Sequence, residues 1–182
     1  MSESESDLAA AKSPMFQIFR ANEAPTAEAA EVMYYDDIDP EMQIRIEQLV
    51  GGGVMDGVKS KVLFSFPGFS LIHFWFKCGF PLPLHTHNVD CLYYVVAGST
   101  RVGTETLGPG DGLFVPKDVP YTHKPGADGV EILEFRHEEH FSFRYKPKSD
   151  SQYWDRALET IRTNMPKWLA ATPPSAPAAR TP

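Results

Sequence analysis

The sequence predicts an all-β fold, a sandwich or a barrel, and three observations carry that expectation. From Val58 to about residue 146 the chain breaks into short runs rich in Val, Ile, Phe, Tyr and Thr. Gly or Pro punctuates nearly every gap, at Pro67-Gly68, Gly98, Gly108-Pro109-Gly110, Pro116, Pro120 and Pro125-Gly126. The spacing of these runs is even, the pattern of sandwiches and barrels. At 182 residues the chain is of single-domain size, with room for a real core.

In chain order, residues 1–39 form an acidic segment with one apolar patch (Met15, Phe16, Ile18, Phe19), expected to be flexible with the patch docking on the core. Asp39-Pro40 is a helix start, an N-cap carboxylate followed by proline at the first helical position. Met42, Ile46, Leu49 and Val50 then share one face and Gly51-Gly52-Gly53 stops the helix, so 40–57 reads as a short helix and linker. The expected strands are 59–66 and 69–77, split by a Pro-Gly turn, then 91–97, 100–107, 112–115, 121–123, 130–136 and 141–145. A last helix over 149–171 carries Trp154, Leu158, Ile161 and Met165 as an apolar stripe; Pro166 should kink or restart it. Residues 172–182, rich in Pro and Ala, read as a disordered tail.

The formal charge of -7 argues against nucleic acid or an anionic membrane as partner, because phosphate binding needs clustered Lys and Arg. No run of about 18 apolar residues suggests a transmembrane helix. No secretory signal is visible and two cysteines make no disulfide framework, so a cytoplasmic protein is the expectation.

The chemistry centres on Gly79–Gly98, where His85 and His87 stand one residue apart ahead of an apolar run. In a strand both project from one face, roughly 6–7 Å apart, and two such imidazoles can hold one metal ion if a third ligand arrives from elsewhere.

These residues resemble the cupin superfamily, whose first motif is a glycine, five residues, His-x-His, three or four residues, a glutamate, six residues and a glycine. Gly79, His85, His87 and Gly98 fall in that register, and Gly110 and Pro116 match the start of the second motif. The resemblance covers about residues 58–146 and implies a double-stranded β-helix, the cupin jelly-roll barrel, with flanking N- and C-terminal helices. It also implies a homodimer, since cupins often pair through outer strands. Two positions depart from the pattern. Cys91 stands where the glutamate belongs, with Asp90 beside it on the opposite face. In the second motif Asp118 replaces a glycine, and Pro120-Tyr121 sits where Pro-His is usual. His123, two residues on, shares a face with Tyr121 and becomes the third expected ligand.

What the resemblance implies is a mononuclear centre of His85, His87 and His123, with Cys91 as a further donor. One divalent transition metal is expected, iron(II) ahead of zinc, manganese, nickel or copper, with dioxygenase-type chemistry on a small organic molecule in the barrel. A non-catalytic small-molecule-binding or sensor cupin is the alternative, and a purely structural dimer or partner subunit a third reading. Cys91 leaves three readings open: a thiolate ligand, an inert buried side chain, or a counterpart of the thiol dioxygenases, whose cysteine at this position cross-links to a tyrosine. Tyr93, on the face of Cys91, and Glu134, as an inward general base or a rim charge, are the catalytic candidates. His73 is pocket-lining or half-buried, Tyr94 faces outward, and His137 and His140 are expected in solvent.

Overall fold

The computed structural model describes residues 16–176; Met15 and the remaining parts of the acidic segment and the tail lie outside them. Among the described residues nine strands form two sheets, with a helix near either end. The strands are β1 (Met33–Tyr35), β2 (Val58–Phe66), β3 (Phe69–Phe76), β4 (His85–Thr86), β5 (Cys91–Val102), β6 (Glu105–Leu107), β7 (Gly112–Val115), β8 (Lys124–Arg136) and β9 (Phe141–Tyr145). The larger sheet runs β2-β3-β8-β5-β6, with β7 also paired to β5, and the smaller runs β1-β9-β4. Their facing surfaces bury one core that includes Val62, Ile72, Val95, Val130, Ile132 and Phe141.

Strand alternation sets what looks inward. Ser70, Ile72, Phe74 and Phe76 of β3 lie opposite Arg136, Glu134, Ile132 and Val130 of β8. Cys91, Tyr93 and Val95 of β5 continue the same rows, with Cys91 beside Arg136 and Tyr93 beside Glu134. The two expected strands 91–97 and 100–107 are instead a long β5 and a short β6. The chain passes Gly98 through register shifts rather than a turn. Gly98 has φ of +73° and backs onto Gly129, so a Cβ there would strike the Gly129 carbonyl. Gly98→Ala should therefore cost at least about 1–2 kcal/mol in chemical denaturation, the left-handed penalty alone.

Helix α1 (Pro40–Gly51) starts as expected, the Asp39 carboxylate accepting from the Met42 amide at 2.8 Å. Helix α2 (Gln152–Ala170) continues through Pro166 without restarting. Its buried Trp154, Ala157, Ile161 and Trp168 form a second core with Met42 and Leu49 of α1. Tertiary burial of two tryptophans outweighs the lost backbone donor, so the proline that should have divided the helix does not.

Both ends expected to be loose are partly built in. Ala27 and Val32 are buried, and β1 pairs in parallel with β9. Pro174 lies near Gly98, and the Ser175 amide donates to Glu131 at 2.7 Å. Composition predicted mobility there, but contacts of Ala27 and Val32 and a ladder edge in need of partners hold these segments, whereas Phe16, Ile18 and Phe19 of the patch expected to dock stay exposed. Among the described residues no helix is long and apolar enough to cross a membrane.

Candidate functional site

The His-x-His pair is delivered by β4 and the residue after it. His85 and His87 are 2% and 5% exposed, with ring centroids 5.0 Å apart, so the predicted shared face is real. The smaller sheet walls them in: the Phe143 ring stacks on His85 at 4.4 Å and Phe141 meets His87 edge-on at 5.3 Å. Each ring has a backbone partner at Nδ1, the Pro83 carbonyl at 2.9 Å for His85 and the Ser142 carbonyl at 2.6 Å for His87. Donation from Nδ1 leaves the lone pair on Nε2 in both rings.

The side chain that closes on this pair is Tyr121, not His123. An isolated bridge aligns Tyr121 with His85. Their rings lie 4.3 Å apart, and the Tyr121 hydroxyl is 3.1 Å from His87 Nε2. The expected strand 121–123 does not form; β8 begins only at Lys124. His123 is buried elsewhere in the barrel, edge-on to Phe76 at 5.0 Å with Nδ1 at 2.9 Å from the Thr100 hydroxyl. Strand parity put both residues on one inner face, but Tyr121 bonds to the pair while His123 bonds to Thr100.

Below the histidines runs a connected polar network. Tyr121 and Tyr93 share a hydroxyl–hydroxyl hydrogen bond. Arg136 donates from Nε to Cys91 Sγ at 3.1 Å and from Nη2 to Glu134 Oε2 at 2.5 Å. Its guanidinium carbon lies 3.7 Å from the centre of the Phe141 ring. The sequence reading passed over Arg136 altogether, although the alternation that turns Glu134 inward also turns Arg136 inward two residues later.

Burial dominates the electrostatics. It depresses His85 to about 4 and His87 to about 2, the Arg136 charge adding to both; His123 falls to about 3 through burial and then His85. Burial pushes the Cys91 thiol and the Tyr93 and Tyr121 phenols upward, so all three are neutral at pH 7. It likewise raises Glu134, with Arg136 pulling the other way. Desolvation is the largest influence on Arg136 and opposes its charge, but Glu134, Tyr93, Cys91 and Tyr121 together outweigh it, and the guanidinium sits above its ordinary range. The lumen thus holds one buried ion pair among neutral donors and acceptors.

The three expected histidine ligands do not come together as one group in this structure. Among the described residues no group of three or more His, Cys, Asp or Glu is placed to hold a metal ion. His87 Nε2 already accepts from a phenol, Cys91 Sγ accepts from a guanidinium, and that cation would repel a divalent ion beside it.

The remaining candidates lie outside the network. His73 is on the outer face of β3, 3.2 Å from Glu131. Asp90 accepts from the Lys117 amide at 2.8 Å, Tyr94 is exposed, and His137 and His140 are in solvent.

No model of a known protein family matches the chain, and no curated protein does. Solved structures do. The polyketide cyclase RemF from Streptomyces resistomycificus aligns over 82% of this chain and 98% of its own, with TM-score 0.53 and 16% identity. KdgF from a Halomonas species covers 68% and 96% (TM-score 0.44, 18% identity). An RmlC-like cupin from Shewanella frigidimarina covers 68% and 92% (TM-score 0.46, 17% identity). The two facing sheets and the placement of His85 and His87 between them define a small single-barrel protein of the cupin-like fold. At 16% identity the likeness to RemF establishes the fold and leaves the reaction to the site.

Proposed function

We propose that the barrel is a receptor for one small organic molecule, held among His85, His87, Tyr93, Tyr121 and Arg136. One observation carries this reading: seven polar or ionisable side chains, these five with Cys91 and Glu134, converge in the lumen where apolar residues would be more stabilising. Perturbed titratable groups gathered in one place are the usual sign of a working site. The imidazole–phenol–phenol chain offers donors and acceptors to a ligand and can hold a proton at the Tyr121 or His87 position. The flanking Phe141 and Phe143 rings suit an apolar body.

A second reading, the metal-dependent dioxygenase-type enzyme, is favoured by the Nδ1 hydrogen bonds to backbone carbonyls. Metal-ligating histidines are commonly oriented in this way. Elemental analysis of protein purified without chelator separates the two. Less than about a tenth of an equivalent of any transition metal supports the receptor. Near-stoichiometric metal that disappears in the His85→Ala/His87→Ala protein supports the enzyme, and oxygen uptake with thiols, diketones or phenols then tests its chemistry.

A homodimer is part of the same proposal. The outer face of the larger sheet exposes Leu92, Tyr94, Val96 and Phe114, with Leu92 directly opposite both Phe114 and Phe135. Exposed apolar side chains gathered on one face can pair with their copies about a two-fold axis. Light scattering should give twice the chain mass, falling to one chain in Phe114→Asp; a wild-type monomer at high micromolar concentration would remove the dimer.

A further inference from the structure

Arg136 has more hydrogen-bonding capacity than the protein uses. The residue is 2% exposed, its Nε and Nη2 are committed to Cys91 and Glu134, and its Nη1 has no partner among the described residues. Directly across from it on β3, in cross-strand register, stands Ser70, fully buried, whose hydroxyl also lacks a partner. Both belong to the inward-facing rows of their strands, and opposed residues of a sheet have Cβ atoms about 4.5–5.5 Å apart.

Buried donors are rarely left unmade, because each costs about 1–3 kcal/mol and a charged one more. A guanidinium can only donate and a serine hydroxyl can donate as well as accept, so an acceptor placed between them satisfies both, and beside a cation an anionic acceptor does so best. We propose that Arg136 and Ser70 form the anchoring subsite for the carboxylate of a small organic acid. This deepens the receptor reading and rests on it.

The planar fork of Arg136 matches a carboxylate through two parallel N–H···O bonds, with the Nη1 arm free to begin that contact. Phe141, packed on the guanidinium face, fixes the plane in which the acid must lie. Glu134 occupies the Nη2 side, and its upward-shifted carboxyl is the group best able to take a proton when a second carboxylate arrives.

Matched pairs of acid and primary amide test the subsite on the full chain: acetate with acetamide, benzoate with benzamide, phenylacetate with phenylacetamide. Titration calorimetry backed by ligand-observed NMR should show at least one acid binding about tenfold more tightly than its amide. The Glu134→Gln/Arg136→Met protein, which removes both charges together, should bring that ratio to about one, and Ser70→Ala should narrow it. Equal binding of acid and amide by the wild type, or a preference that survives in the double variant, overturns the subsite and leaves the receptor reading standing. Binding of no acid and no amide overturns both.

Discussion

Arg136→Met is expected to unfold with about 3–5 kcal/mol less free energy than the wild type, because it strands the Glu134 carboxylate in the lumen. Glu134 is 5% exposed and has Arg136 as its ion-pair partner at 2.5 Å. Without the guanidinium, the carboxylate must stay charged with nothing to offset its desolvation or take up a proton. The Glu134→Gln/Arg136→Met protein should regain most of the loss, since neutral groups of similar volume replace a buried pair at little or no cost. The difference between single and double variants is then the coupling of the two side chains. Urea denaturation with a common slope reads it, and a single variant within about 1 kcal/mol of wild type would mean that no buried ion pair exists.

The second large effect is acid lability. Three histidines that protonate near 6.5 in the unfolded chain are depressed to about 4 (His85), 3 (His123) and 2 (His87) in the folded, metal-free protein. Between these values the unfolded state binds protons that the native state refuses, so stability rises with pH. It is fully present above 6.5 and is lost as the pH falls toward each folded value. Each histidine contributes about 1.4 kcal/mol per pH unit inside its window, so at pH 5 the three together approach about 4 kcal/mol per unit. Two such units remove about 8 kcal/mol, a large share of the roughly 5–15 kcal/mol that holds a domain folded. Thermal unfolding in the presence of chelator should show the melting temperature falling steeply below pH 6. His87→Gln should flatten the profile most, and a flat wild-type profile from pH 7 to 5 would contradict the burial of these rings.

Much of the site was readable before the fold was known. Parity alone placed His85 with His87 and Cys91 with Tyr93, and it allowed an inward Glu134; the sheets hold all five as read. The limit came where two strands must agree on depth. Tyr121 and His123 have the same parity, but only the His85 bridge shows which of them reaches the pair. Shifts at Val95/Ala97 and Gly98/Thr100 move the register of β5 against β8, and neither strand alone specifies them. Arg136 illustrates a different failure. Alternation turns it inward, but a charged residue at a strand end is usually solvated, and its neighbours in the fold are what enclose this one.

What the sequence by itself determined is local: the helix start at Asp39-Pro40, the Pro67-Gly68 hairpin, the short-strand texture of a barrel and the faces on which its histidines lie. These follow from periodicity and turn chemistry, which are properties of neighbouring residues. The tertiary structure alone decided that Tyr121 caps the His-x-His pair, that Arg136 and Glu134 form an ion pair beneath it, and that Ser70, with no hydrogen-bond partner among the described residues, stands beside Arg136. Those facts depend on which residues from distant strands share a row and on how far water is excluded from it. The same exclusion is what turns ordinary side chains into a site.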